Sequence, residues 1–164
     1  MALHLPARAL ALAFLLSAAL PAAAETFLVV VAETDDGQPS APPLAAREGI
    51  FSALFDAEQI GFEVPADWPP QRAEELRRLA QEAGAGIVAT VVVDWHQERQ
   101  PGGALRVRGR GSIVLVDALT GRETASVAFA VGNEGRERTA DRPRLGLEIG
   151  NALVEAIRSS AAGR

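Results

Sequence analysis

One stretch of the chain, residues 105–131, predicts a local structure that limits how the rest can fold. Two apolar runs rich in β-branched residues flank Asp117-Ala-Leu-Thr-Gly121. This spacing is typical of a β-hairpin whose loop is a type I turn closed by a glycine in the left-handed region. Asp117 can accept hydrogen bonds from the backbone that follows it, and Gly121 can adopt a positive φ without steric cost. We therefore predict a hairpin at the centre of the fold.

The hydrophobic pattern of the remaining chain predicts a β-α-β-α-β-β-β-α order of elements. Continuous apolar runs indicate buried strands, and apolar stripes at helical spacing indicate helices packed on one side. The predicted strands are residues 26–32, 60–64, 86–95 and the two hairpin strands, and the predicted helices are residues 44–59, 70–83 and 144–159. We expect a single α+β domain in which the helices pack on a mixed β-sheet.

The N-terminus predicts export from the cytoplasm. Residues 1–24 have the features of a secretory signal peptide: Arg8 supplies a positive charge, and residues 9–20 form an apolar run too short to span a bilayer. Small residues at the −3 and −1 positions place the cleavage site before Glu25. The alternative is an uncleaved N-terminal anchor. We expect the cleaved protein to lie in the periplasm of a bacterium, with export to the medium as the weaker alternative.

Composition restricts the chemistry open to the chain. The sequence contains no cysteine, which excludes disulfides, thiol chemistry and a lipid-bearing N-terminal cysteine. We therefore expect an exported protein that is not a lipoprotein. A net charge of −5 argues against generic nucleic-acid binding, which needs a positive surface. No apolar run after the signal peptide is long enough to span a membrane. We expect one domain at residues 25–160 and a frayed tail at 161–164.

Candidate catalytic and metal-binding residues are few. His96 is the one histidine beyond the signal peptide, and Asp94 projects from the same strand face. They could form an acid–base pair or part of a metal site, but zinc needs three or four ligands. The simpler interpretation is a strand-end histidine beside a solvated aspartate. Gly109-x-Gly111 lacks the context of a nucleotide loop and is interpreted as a strand bulge. We expect no catalytic residue, no metal and no cofactor.

Three arginines are the clearest candidate for a recognition surface. Arg106, Arg108 and Arg110 occupy alternate positions of the first hairpin strand, so they project from one face, neighbours about 7 Å apart. They could bind an anionic partner such as lipopolysaccharide phosphate, peptidoglycan carboxylates or an acidic protein patch. The alternative is an edge-strand guard that discourages aggregation and pairs with neighbours such as Glu98 or Glu123.

Four segments, in this order, carry a resemblance to a known group of proteins. They are Arg47-Glu-Gly-Ile-Phe-Ser-Ala-Leu54, Ile60-Gly-Phe-Glu-Val64, Ala83-Gly-Ala-Gly-Ile-Val88 and Ile113-Val-Leu-Val-Asp-Ala-Leu-Thr-Gly-Arg122. The pattern, over roughly residues 26–131, resembles small periplasmic domains such as the N-terminal domain of TolB, CsgG and LpoB. The sequence departs from CsgG and LpoB in lacking their lipid-bearing cysteine. The resemblance implies a non-enzymatic interaction domain located in the envelope, and it assigns no binding residue.

These observations predict a periplasmic accessory domain, without enzymatic activity, that acts through protein–protein contact in envelope assembly or maintenance. The alternative is a binding module for a small anionic or glycan ligand, with the three arginines and Trp95 as its site. The expected partner is an envelope protein or an anionic envelope component. A pocket beside residues 106–110 would favour the ligand, whereas a flat or edge surface would favour a protein.

Overall fold

The computed structural model describes residues 26–39, 46–64, 72–133 and 142–162. Within them, six strands and three helices follow in the order β1-β2-α1-β3-α2-β4-β5-β6-α3. The strands are β1 (Thr26–Asp35), β2 (Gln38–Pro39), β3 (Ile60–Val64), β4 (Ile87–Arg99), β5 (Leu105–Asp117) and β6 (Glu123–Gly132), and the helices are α1 (Arg47–Asp56), α2 (Ala73–Glu82) and α3 (Arg142–Ala162). The predicted order is confirmed, with the short β2 added.

All six strands join one mixed sheet. Its order is β2-β1-β4-β5-β6, and β3 also pairs with β1. β1 runs parallel to β3 and to β4, whereas β4, β5 and β6 are successively antiparallel. Parallel neighbours need a crossover connection. Helix α1 lies in the connection from β1 to β3, and α2 lies in the connection from β3 to β4. The predicted α+β class, with a mixed sheet in a single domain, is therefore confirmed.

The sheet is covered differently on its two faces. On one face, Phe27, Val29 and Val31 belong to the larger core cluster, which includes residues of α1 and α3. On the other face, Leu28 and Val30 pack with α2 in a smaller cluster. Because successive strand residues alternate between faces, β1 is buried on both sides. Helix α2 reaches only one end of its face, so the rest of that face has no helix among the described residues.

The central hairpin has the predicted turn. The backbone N–H groups of Leu119 and Thr120 donate to Asp117 Oδ1 at 3.1 and 2.7 Å. The Gly121 N–H donates to the Asp117 carbonyl at 2.9 Å, and Gly121 has a φ of +72°. β5 and β6 pair antiparallel from this turn onward. Leu115 faces the larger core and is completely buried. The loop residues therefore close the turn as their chemistry predicts.

The strand bulge predicted at Gly109 and Gly111 is wrong. Both glycines pair regularly with β4, and the irregularity in the β5–β6 pairing lies between Leu115 and Val116. Close packing is the physical reason for the glycines. A Cβ on Gly109 would lie 2.6 Å from Trp95 Cζ3, and one on Gly111 would lie 1.8 Å from the Val92 carbonyl oxygen. These positions leave no room for a side chain.

Several element boundaries differ from the prediction. β4 continues to Arg99, beyond its predicted end at residue 95, because β5 supplies a partner as far as the Arg99–Leu105 pair. Helix α3 continues through Ala162. The signal peptide, the cleavage site before Glu25 and residues 163–164 lie outside the described residues. The predicted start of the second helix, Pro70, lies outside them too.

Candidate functional site

The three arginines lie side by side on the part of a sheet face that α2 does not cover. Arg108 and Arg110 are exposed, whereas Val107, which projects from the opposite face of the strand, is completely buried. The cross-strand partners on β4 are Glu98 for Arg106, His96 for Arg108 and Asp94 for Arg110. Directly opposed residues project from the same face of a sheet. The arginines therefore belong to a charged surface built by two neighbouring strands.

The guanidinium groups of Arg106, Arg108 and Arg110 are not neutralised within the described part of the chain. The ion pairs there involve six other basic side chains: Arg47, Arg78, His96, Arg142, Arg144 and Arg158. The guanidinium groups of these three arginines also donate no hydrogen bond to any described residue. The expected pairing with Glu98 or Glu123 is therefore absent among these residues. We call the surface carrying Arg106, Arg108 and Arg110 the arginine face.

The edge-strand interpretation of this face is wrong. β5 lies between β4 and β6, so it is an interior strand. Arg108 faces Gly132 across the β5–β6 pairing, and Arg110 faces Ala130. A guard needs an unpaired backbone edge to protect, and β5 has none at these two positions. The arginines need another explanation.

A small polar network fastens the β1–β2 turn beside the arginine face. Asp94 Oδ1 accepts hydrogen bonds from Thr34 Oγ1 at 2.5 Å and from the Gly37 N–H at 2.9 Å. His96 Nδ1 lies 2.7 Å from Asp36 Oδ1. The Asp36 N–H donates to the Trp95 carbonyl oxygen in β4 at 2.9 Å. Asp94 is exposed, as expected of a solvated aspartate, and it also anchors this turn, which the sequence did not indicate.

These contacts include a histidine–carboxylate pair but no nucleophile beside it among the described residues. His96 and Asp36 form a histidine–carboxylate contact, and the His96 side chain is 61% exposed. A nucleophilic mechanism would need a hydroxyl in hydrogen-bond contact with the other ring nitrogen. No hydroxyl group of the described residues makes that contact, and the Thr34 hydroxyl donates to Asp94 instead. The arrangement orients a turn and presents charge.

A depression of about 280 Å³ lies between the turn and the arginine face. Its lining consists of Asp36, Asp94, His96, Arg108 and Arg110. Typical small-molecule sites have volumes of about 300–1,000 Å³ and mostly apolar walls. Here all five lining side chains are polar, and two of them are carboxylates. The depression therefore suits contact with charged side chains on an opposing surface better than it suits enclosure of a ligand.

Trp95 lies on the opposite face of the sheet. It is completely buried, and its Nε1–H donates to Glu33 Oε2 at 2.6 Å. The guanidinium of Arg142 lies 5.3 Å from the centre of the tryptophan ring. A joint site of Trp95 and the three arginines is therefore wrong, since the sheet separates them.

Glu33, which the sequence analysis missed, is the centre of this buried group. Its Oε1 accepts a hydrogen bond from the Ala46 N–H at 3.0 Å, just before α1 begins. Burial raises the pKa of Glu33 above its ordinary value, opposed by the hydrogen bonds from Trp95 and Ala46 and by the charge of Arg142. The sequence signal was a carboxylate directly after the apolar run of residues 27–32, within the strand as the structure has it. Such a residue rarely becomes buried without partners.

Neither a metal-binding cluster nor a membrane-spanning helix occurs among the described residues. Nowhere do three or more histidine, aspartate or glutamate side chains come together in a way that could hold a metal ion. None of the helices combines the length and apolar character that crossing a membrane requires.

Comparison with known proteins relates the chain to others through its structure. No protein-family model matches the sequence, and no curated protein matches it. Among solved structures, the PelC dodecamer from Paraburkholderia phytofirmans matches with a TM-score of 0.55 at 14% sequence identity, covering 80% of this chain and 89% of that chain. The chain shares its fold with PelC. At this identity the likeness is one of fold, and no role of a PelC residue is carried over.

Two other matches have lower TM-scores than PelC. Lipoprotein GNA1162 from Neisseria meningitidis is 19% identical, with 85% of this chain and 99% of that chain covered and a TM-score of 0.48. The LpoB C-terminal domain from Escherichia coli is 16% identical, with 75% and 93% covered and a TM-score of 0.37. LpoB, one of the proteins named in the sequence resemblance, is thus among the structural matches.

Proposed function

We propose that this protein is a non-enzymatic accessory protein of the bacterial envelope that docks an acidic segment of a partner protein on its arginine face. The observation that carries the proposal is a row of three guanidiniums that makes no ion pair with any described residue. Arginine binds carboxylates through two parallel hydrogen bonds, and alternate strand positions repeat about every 7 Å. A row of this kind can receive successive acidic side chains of one segment.

Two independent features support an envelope location and action by protein contact. The features of residues 1–24 are those of a secretory signal peptide. The fold is that of PelC, which was solved as a dodecamer. The PelC dodecamer is an assembly of protein chains that have this fold. The sequence resemblance to LpoB-like interaction domains points in the same direction.

A protein partner fits the arginine face better than a small anionic or glycan ligand. Asp36 and Asp94 line the depression beside Arg108 and would repel a small anion held there. Glycan sites commonly use an exposed aromatic ring, and Trp95, the aromatic nearest in sequence, is buried on the other face. A protein segment can contact the arginines without entering the depression.

The absence of catalysis is part of the same proposal. The Asp36–His96 contact has no hydroxyl partner among the described residues, and the Asp94 carboxylate is engaged by two donors. The polar groups that might react are therefore used to hold a turn. Activity of the purified protein towards peptide, ester or glycosidic substrates, lost in His96→Ala, would contradict this part.

Capture from envelope extract under mild crosslinking tests the proposal. Arg108→Glu should lose the partner that the unmodified protein captures, because an acidic segment is repelled by the new carboxylate. Arg122→Glu is the matched control: it makes the same charge change at an exposed arginine in the turn after β5, at the opposite end of that strand from the arginine face. The control should capture normally. Equal capture by Arg108→Glu and the unmodified protein would refute docking on this face.

A further inference from the structure

β6 has an outer edge that is unusually poorly protected. It is the last strand of the sheet, and no described residue pairs with it on the side away from β5. Residues 124–132 contain no charged side chain and no proline, in a chain whose residues are 23% charged. Natural edge strands are normally blunted by charges, proline, bulges or short length. A long neutral edge of this kind is suited to pairing with another strand.

The hydrogen-bond pattern identifies which backbone groups of β6 are available. The Asn133 N–H donates to the Val107 carbonyl at 3.0 Å, so position 133 points its backbone groups towards β5. In an antiparallel ladder the direction alternates along the strand. The pairing is regular from residue 125 to 132. The N–H and C=O groups of Ser126, Ala128 and Ala130 therefore point outward.

We infer that β6 pairs antiparallel with β6 of a second copy of this chain, with a two-fold axis passing at Ala128. Twofold pairing requires the edge to be complementary to itself, because each copy presents the same surface. β6 meets this requirement electrostatically: with no charged residue between positions 124 and 132, no like charges are brought together there. Over the rest of the surface, the net charge of −5 makes close approach of two copies less favourable.

This register also places side chains that pair favourably opposite each other. Val127 of one copy lies opposite Phe129 of the other, and Ser126 lies opposite Ala130. Pairs of aromatic and β-branched side chains are favourable across antiparallel strands. Val127 is 36% exposed in the single chain, so the pairing covers one of its few exposed large apolar residues. The small residues on the other face permit close approach without a clash.

The inference does not rest on the proposed function, but it has a consequence for it. Two copies joined through β6 place their β5 strands three strand spacings apart, about 14 Å. The two arginine faces then lie on the same side of one continuous sheet. A partner with two acidic segments could bind both copies, which strengthens binding through effective concentration.

Single-cysteine variants test the register, since the sequence has no cysteine of its own. In Ala128→Cys the two copies' Cα atoms would be about 5.5 Å apart, within the range that a disulfide spans. Ala130→Cys is the matched control: it changes an exposed alanine of the same strand and face, but its two copies would lie about 14 Å apart. Mild oxidation should produce a disulfide-linked dimer of Ala128→Cys and leave Ala130→Cys uncrosslinked.

Sedimentation of the cysteine-free protein provides the second measurement. It should show reversible association to twice the monomer mass, and Ala128→Pro should remove that association while keeping the fold, because only the outward N–H is lost. A monomer at every concentration up to about 1 mM would overturn the inference. So would equal crosslinking of both cysteine variants, or association that Ala128→Pro leaves unchanged. Both measurements report association of two copies of this chain and not capture of a partner, so failure of this inference is distinguishable from failure of the proposed docking.

Discussion

Glu33 shows how one buried residue can connect distant parts of this chain. Its carboxylate contacts the Trp95 ring nitrogen in β4 and the Ala46 N–H before α1. Arg142, at the start of α3, stacks on the same tryptophan and pairs with Asp35. Each partner belongs to a different element, so the group holds the starts of two helices against the sheet. Its buried charge makes it sensitive to pH.

We expect Glu33 to make folding more favourable at low pH. Because burial raises the pKa of Glu33 in the folded state, the folded chain holds its proton more tightly than the unfolded chain. This contribution is complete below the ordinary value of about 4.5 and is lost as pH rises through the raised pKa. Glu33→Gln cannot ionise, and it should also cost about 1–3 kcal/mol because its NH2 group must face one of two N–H donors, that of Ala46 or that of Trp95.

Urea unfolding of both proteins from pH 4 to 8 checks this expectation. The unmodified protein should lose stability relative to Glu33→Gln as pH rises above about 4.5. Other titrating groups are common to the two proteins and cancel in the difference. A difference that stays constant over this range would show that Glu33 is not protonated more readily in the folded state.

Sequence reasoning succeeded for single residues where the rule was local. Alternation along a strand placed Arg106, Arg108 and Arg110 on one face, and turn chemistry assigned a positive φ to Gly121. It failed where a partner comes from a distant part of the chain. The close approach of the Trp95 ring explains Gly109, but no local pattern indicates that contact.

At the scale of elements, the hairpin of β5 and β6 depends on the larger core. Leu115 is completely buried, whereas Val114 projects from the opposite face and is half-buried. Leu115→Ala should lower the free energy of unfolding by about 2–4 kcal/mol, through lost burial and the cavity left behind. Thermal or urea unfolding measures the change, with Val114→Ala as the control that costs less. A loss under about 0.5 kcal/mol for Leu115→Ala would remove the hairpin from the core.

The order and type of the elements could be predicted, but their ends could not. Apolar periodicity identified the strands and helices because each buries a continuous face. The end of β4 depends on how far β5 continues beside it, which reaches the Arg99–Leu105 pair. β2 consists of Gln38 and Pro39, and its pairing with Thr34 and Asp35 leaves no periodic pattern to recognise. Strand pairing is a property of two segments together.

At the scale of the whole molecule, charge distribution separates this chain from a generic acidic protein. The net charge is −5, yet the arginine face carries a row of three positive charges at alternate positions of β5, opposite Glu98, His96 and Asp94 of β4. Such a local field speeds the approach of an acidic segment and weakens as salt increases. The fold shared with PelC does not by itself predict this surface, because a fold hosts many functions and the site must be argued from its own residues.

The dissociation constant of the captured partner, measured against salt concentration, tests the docking claim most directly. Arg108→Glu should weaken binding at least about tenfold at low salt, and the salt dependence should be shallower than in the unmodified protein. Arg122→Glu, at the opposite end of β5, should match the unmodified protein in both respects. A dissociation constant for Arg108→Glu that stays within about twofold of the unmodified value, with the same salt dependence, would contradict docking on the arginine face.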